Sequence, residues 1–205
     1  MRPAINSEAL NVRVKNSYNC EAPGTLISRH RNMADSLLTS IVLKKNVTML
    51  DINSTRMLGN HGFMAKLFDV FAKNRISVDV IATSEVSVSV TLDTDQIWSR
   101  SLVDAELEAL RHAVRKVARV ELKKEKAIIS LIGNVEYSSI ILEKVFRTLG
   151  GMGVNVEMIS QGASKNNIAL VVPNAEGPRC VRALHDEFFG AANRNSLLSY
   201  DERPA

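Results

Sequence analysis

Two spacings of apolar residues alternate along this chain. A period of two marks strands, and a period of three to four marks helices. Residues 38–44 and 47–53 predict strands. Residues 62–74 predict a helix with Phe63, Leu67, Val70 and Phe71 on one face. Residues 76–81 and 85–92 alternate, the second run placing Val86, Val88, Val90 and Leu92 on one side. Residues 101–114 read as a helix whose stripe is Leu102, Ala105, Leu107, Leu110 and Val114, and 117–122 as a strand. The order is βαββαβ.

The order then starts again. Residues 127–132 predict a strand, and 138–149 a helix carrying Ile141, Val145 and Leu149. Gly150, Gly151 and Gly153 are expected to end that helix, because glycine accepts the left-handed cap. Residues 154–159 and 168–172 predict strands, and 176–189 a helix with Val181, Leu184 and Phe188. At a spacing of 78, Phe68 corresponds to Phe146 and residues 76–81 to 154–159. Two copies of one unit follow. The predicted fold class is α+β: two ferredoxin-like βαββαβ units with antiparallel sheets and the helices on one face of each.

The second copy lacks its last strand, while 38–44 is a strand too many ahead of the first. A bare sheet edge is a liability that a surplus strand can cover. The units are therefore expected to interleave, with 37–45 completing the second sheet. The predicted division is 1–36 as the end of another domain plus linker, 46–124 as the first unit, 125–190 as the second, and 191–205 as a polar tail. In the opening segment, residues 11–15 and 26–27 suit short strands around the Pro23-Gly24 turn, too little to make a core alone.

Composition narrows the function. The chain has 205 residues, 45% hydrophobic, with a net charge of +4 from 26 basic and 22 acidic residues. No apolar run approaches the roughly 18 residues of a membrane helix. Cys20 and Cys180 form neither a disulfide framework nor a zinc spacing. Lys116, Arg119, Lys123, Lys124 and Lys126 cluster, but no aromatic residue falls among them for bases to stack on, so they read as a solvated face rather than a nucleic-acid site. His30, His61, His112 and His185 lack metal-ligand spacing, and no phosphate loop, nucleophile or acid–base pair is present. No catalytic residue and no metal ligand is expected in this chain.

One region carries unexplained polarity. Met57-Leu58-Gly59-Asn60-His61-Gly62-Phe63 runs into a helix N-terminus, where free N–H groups suit a carboxylate. Asp79 interrupts an apolar strand, and Thr83-Ser84-Glu85 form the following turn. Such groups could hold an α-amino acid, with its carboxylate on the helix and its ammonium groups on Asp79 and Glu85. A helix cap beside solvated carboxylates accounts for the same residues without a ligand.

These are also the residues where the chain resembles a known family. Met57-Leu58-Gly59 with Gly62-Phe63, Ile76-Ser77-Val78-Asp79 and Ala82-Thr83-Ser84-Glu85-Val86-Ser87-Val88 are similar to the first regulatory ACT domain of aspartate kinases. Ile129-Ser130-Leu131-Ile132-Gly133-Asn134, Val154-Asn155-Val156, Ser160-Gln161-Gly162-Ala163-Ser164 and Asn167 resemble the second. Val12 to Ser17 and Ala22-Pro23-Gly24-Thr25 resemble the last strands of the amino-acid-kinase domain. The likeness is to the plant monofunctional, lysine-sensitive type.

The resemblance implies an allosteric region that binds lysine as feedback inhibitor of ATP-dependent aspartate phosphorylation, the first step of lysine, threonine and methionine biosynthesis. Matched position by position, the lysine contacts would be Met57, Asn60, Gly62, Phe63, Met64, Ser77, Val78, Asp79, Thr83, Ser84 and Glu85, at a dimer interface. S-adenosylmethionine acts with lysine in the plant type. The family's nucleotide and aspartate sites lie in an N-terminal domain that these residues do not include, so ATP and Mg belong there, and this chain alone is expected to be inactive as a kinase. A free-standing ACT-domain binding or assembly protein is the alternative. The resemblance also implies a homodimer or larger oligomer, no nucleic-acid or membrane partner, and a plastid location, although no transit peptide stands in these residues.

Overall fold

The computed structural model describes residues 10–27, 37–57, 59–92, 104–115, 118–134, 137–162 and 167–190. Sequence-based expectations for residues 1–9, 28–36, 58, 93–103, 116–117, 135–136, 163–166 and 191–205 therefore fall outside the described residues. The chain divides into two compact units, Met1–Asp35 and Ser36–Ala205. In the first, β1 (Val12–Val14) and β2 (Thr25–Ile27) form an antiparallel pair with Val12 opposite Ile27. Gly24 turns the chain back at φ +67, and a Cβ there would strike the Val14 carbonyl.

The larger unit runs β3 (Leu38–Asn53), a 3-10 turn (Thr55–Met57), α1 (Phe63–Lys73), β4 (Val78–Thr83), β5 (Ser87–Leu92) and α2 (Asp104–Arg115). It continues through β6 (Arg119–Gly133), α3 (Ser138–Gly151), β7 (Met158–Gln161), β8 (Asn167–Pro173) and α4 (Gly177–Phe189). All six strands form one sheet in the order β4-β5-β3-β6-β8-β7, every pairing antiparallel.

Interleaving is carried by the two long central strands. Leu38 to Lys44 pair with Gly133 to Ile128, beside β8, while Thr48 to Asn53 pair with β5 on one side and the start of β6 on the other. Each βαββαβ repeat thus borrows half of β3 and half of β6. Where sequence spacing predicts separate strands at 38–44 and 47–53, and at 117–122 and 127–132, the structure has two continuous ones. The breaks are local kinks: Asn46 and Glu125 sit at φ 57 and 56, and the ladder shifts register from Lys44 to Met49. Asn174 staples both kinks. Its Nδ2 donates to Asn46 Oδ1 at 2.9 Å and to Glu125 Oε2 at 3.3 Å, and its Oδ1 accepts from the Asn46 N–H at 3.0 Å. Asn174→Ala is expected to cost about 1–2 kcal/mol, since each such bond contributes modestly when water competes. Urea unfolding of the two forms measures it.

Each repeat has its own helix-covered core. One is Leu50, Ile52, Phe63, Leu67, Phe71, Val88, Val90, Leu92, Leu110 and Val114; the other joins Leu38 to Ala127, Ile129, Leu131, Ile141, Val145, Leu149, Leu170 and Leu184. The alternating face of residues 86–92 could by itself suggest an apolar surface left for a partner, but Val88, Val90 and Leu92 are fully buried under the repeat's own helices, and only Val86 is exposed. A third cluster lies on the helix-free faces, where Val47, Met49, Ile128, Met158, Ala169 and Val171 pack with Val80 and Ala82. The sheet curls enough for its two edges to meet, and Ser160 Oγ on β7 donates to the Ile81 carbonyl on β4 at 2.7 Å.

Three boundaries differ from the sequence-based expectation. Strand β4 begins at Val78 rather than Ile76, with a bulge between Val78 and Ile81. Buried Thr91 fills that bulge, its Oγ1 accepting from the Val80 N–H at 2.9 Å. Helix α3 continues through Gly150 and Gly151, and the left-handed residue is Gly153 at φ 70. Residues 154–157 then form a connection, because the Val154 N–H bonds back to the Leu149 carbonyl and closes the helix end. Strand β7 starts only at Met158.

Candidate functional site

The polar region singled out in sequence is a cavity. The 3-10 turn ends at Met57, and the chain reverses through Gly59 and Gly62, both left-handed at φ 65 and 78. Gly62 is the N-cap of α1 and makes no side-chain cap bond; the first turn carries no acidic residue. Its leading N–H groups lack the intrahelical acceptors that later ones have. The α1 stripe, Phe63, Leu67 and Phe71, anchors the helix in the core and fixes where those groups sit.

The turn between β4 and β5 lies opposite. Ser84 Oγ and Ser87 Oγ share a hydrogen bond of 2.5 Å, the Ser87 N–H donates to Ser84 Oγ at 3.1 Å, and the Ser84 N–H donates to the Ser87 carbonyl at 2.8 Å. These bonds hold the turn still. Between turn and helix is a space of about 380 Å³ lined by Met57, Gly59, Asn60, Gly62, Phe63, Met64, Ser84 and Glu85. That volume falls within the range of small-molecule sites. The lining offers an apolar floor of Met57, Phe63 and Met64, a helix N-terminus for an anion, and the exposed Glu85 carboxylate for a cation.

Seven of the eleven residues singled out in sequence line this one cavity. Gly59 lines it too and was not among them, although the Gly59-x-x-Gly62 spacing in front of a helix was a usable signal. The other four do not line it. Thr83 is exposed at the end of β4, beside the turn. Ser77, Val78 and Asp79 lie at the strand's other end: five residues of extended chain, about 17 Å, separate Asp79 from Ser84. The expectation that both groups lie close to the loop is thus corrected within one chain, since β4 runs away from it. Asp79 has its cation: Lys44 Nζ donates to its Oδ2 at 2.6 Å, both side chains about one-third exposed.

The basic cluster also divides. Lys123 pairs with Asp51 at 2.6 Å, and Ser89 Oγ donates to the same carboxylate. The bond to Asp51 holds the Lys123 ammonium above the usual lysine range. Lys126 pairs with Glu157 at 2.6 Å. Burial raises the thiol of Cys180, which packs in the core of the second repeat. Among the described residues, no three His, Cys, Asp or Glu side chains converge as a metal site would require, and no helix is long and apolar enough to cross a membrane.

Two interleaved βαββαβ repeats, with a cavity at the N-terminus of the first helix, define the class of protein. The ACT domain model matches residues 51–99 and 129–188, and the chain belongs to the ACT-domain family. It is 58% identical over 198 residues to Aspartokinase 1, chloroplastic, of Arabidopsis thaliana, covering 97% of this chain and 35% of that protein. It resembles the crystal structure of Escherichia coli aspartokinase III in complex with lysine and aspartate at a TM-score of 0.70, with 33% identity over 92% of this chain and 41% of that one. The regulatory subunit of aspartate kinase from Thermus thermophilus shares the fold, with a TM-score of 0.61 at 23% identity, covering 74% of this chain and 98% of that one. The chain is an aspartokinase-type regulatory region. It spans about a third of the length of the curated relatives it matches.

Proposed function

We propose that this region binds lysine and thereby regulates an aspartate kinase activity carried elsewhere in the protein. The observation that carries the reading is the 380 Å³ cavity, which combines a helix N-terminus without a side-chain cap with a carboxylate, Glu85, that has no ion-pair partner among the described residues, across an apolar floor. An amino acid with a cationic side chain presents the complementary pattern. Its carboxylate meets the N–H groups of α1, its methylene stem lies on Met57 and Met64, and an ammonium meets Glu85. The crystal structure of the E. coli relative was solved with lysine and aspartate bound.

The position of Ser77, Val78 and Asp79 extends the reading. One lysine cannot span from the Ser84 turn to Asp79 on the same strand. A second copy, related by a two-fold axis, can bring its own Ser77–Asp79 segment to the first copy's cavity. Lysine then sits between two chains, and Lys44 holds Asp79 in place until the ligand's ammonium competes for it. S-adenosylmethionine, expected with lysine from the plant-type resemblance, is a second ligand to test in the same assay. The chloroplastic relatives support a plastid location.

The test is a thermal shift with L-lysine, D-lysine and L-threonine at matched ionic strength. A ligand that binds only the folded chain adds about 2.7 kcal/mol at a hundred times its Kd. L-lysine alone is expected to raise the melting temperature, and Ser84→Phe, which fills the cavity, is expected to remove that rise. Equal shifts with all three amino acids would overturn the reading.

A further inference from the structure

A second cavity, larger than the one beside α1, is present in the described residues. It lies on the other side of the Thr55–Met57 and Ser84–Val86 turns and has a volume of about 1160 Å³. Its walls come from the end of β3, the last turn of α2 and the first residues of β6. Among the described residues they carry Arg111, Arg115 and Arg119 with one carboxylate, Glu121, and the hydroxyl of Thr55; Ser54 and Lys124 also line the space.

Complementing the C-terminal dipole of α2 accounts for part of this charge, since cations are favoured at a helix end. It accounts for Arg115 but not for Arg119, which is a strand residue. Nor does it account for Arg111. That side chain gives one nitrogen to Glu108 at 2.9 Å, yet its Nε is buried with no hydrogen-bond partner among the described residues. The guanidinium as a whole is about one-third exposed, but a buried N–H without an acceptor is costly. Native proteins resolve such groups with a ligand, an ion or a water.

We propose that this cavity is a binding site for a small molecule carrying two or more phosphate groups. Guanidinium forks match phosphate oxygens two at a time, which an ammonium cannot do. Three arginines from two elements make a cradle for more than one phosphate. Thr55 adds a neutral donor, and the volume leaves room for an organic body beyond the phosphates. The site is separate from the amino-acid cavity and does not depend on what occupies that one.

Inorganic pyrophosphate is the probe, titrated calorimetrically into the full 205-residue chain at about 0.15 M salt, where long-range attraction is screened. Saturable binding is expected, with inorganic phosphate much weaker. Arg115→Gln and Arg119→Gln are each expected to weaken pyrophosphate by about tenfold, the worth of one charge-assisted hydrogen bond. Lys73→Gln removes the same charge from an exposed pair on α1 and should change the affinity less than twofold. All variants are checked for cooperative melting, and a change of Arg119 to Lys, which keeps the charge and loses the fork, provides a second comparison. No saturable heat from folded chain overturns the proposal. So does an equal loss with Lys73→Gln, which would mean general charge attraction. Binding of hexaglutamate but not pyrophosphate, abolished by the same variants, would reassign the cavity to an acidic protein segment.

Discussion

Leu38→Ala is expected to destabilise the chain by about 2–5 kcal/mol, the usual cost of emptying a fully packed leucine site, and to do so in the second repeat. Leu38 is 2% exposed and belongs to the core of the second repeat, with Ile129, Leu131, Ile141, Leu149 and Leu184, rather than to that of the first. The backbone there is equally committed. Gly133 lies so close that a Cβ would strike the Leu37 carbonyl, and the Asn134 N–H donates to the same oxygen at 3.1 Å. Hydrogen exchange followed residue by residue reads the result. Amides of α3, β8 and α4 should lose protection together with those of the first half of β3. Loss confined to α1, β5 and the second half of β3 would mean that the strand belongs to the first repeat.

The second large effect concerns the effector. Asp79→Ala and Glu85→Ala are each expected to weaken lysine by a factor corresponding to about 2–5 kcal/mol, the cost of stripping one partner from a charge pair that becomes desolvated on binding. Neither should unfold the chain. Both side chains are exposed in the single chain, and the Lys44–Asp79 bridge, at one-third exposure, contributes about 0–1 kcal/mol. A strand position by itself would suggest a partly buried carboxylate at Asp79 and a larger effect there than at Glu85; the observed exposure of both removes that ranking. A sharper comparison is to mix the two inactive variants. If each site takes its cavity from one chain and Asp79 from the other, a mixed dimer has one site with both carboxylates and one with neither. Random exchange in an equal mixture should then restore about a quarter of the sites. No recovery after subunit exchange would place both carboxylates in the same site of one chain.

Much of this fold is legible in the sequence because it rests on periodicity. The stripe Phe63, Leu67, Phe71 and the alternation Val88, Val90, Leu92 are local signals, and both cores follow from them. The missing last strand of the second repeat, set against the surplus 38–44, was enough to predict interleaving. What periodicity cannot supply is the partner of a face. Val47, Met49, Ile128 and Val171 alternate correctly for the helix-free side, but nothing local says that the two helix-free sides meet each other. The β4 boundary was missed for a related reason: the bulge depends on Thr91, more than ten residues away.

The site divides the same way. Its loop and helix start are one continuous segment with recognisable glycines, and the turn closes the next strand, so the cavity was legible. The distance from Ser84 to Asp79 depends on the direction of β4, and the Lys44–Asp79 pair on a strand 35 residues earlier. The basic cluster is a further case. Read as a solvated face, it contains two shielded ion pairs, Lys123–Asp51 and Lys126–Glu157, while Arg119 and Lys124 line a cavity with two arginines from α2.

The central claim is that this tandem ACT region is a lysine sensor, and calorimetric titration of L-lysine into the full chain tests it most directly. The account predicts a saturable heat with one lysine per chain, accompanied by a dimer in sedimentation and abolished by Glu85→Ala. A chain that melts cooperatively, keeps its secondary structure and gives no heat with L-lysine would contradict it, leaving the cavity as an uncapped helix end beside a solvated carboxylate.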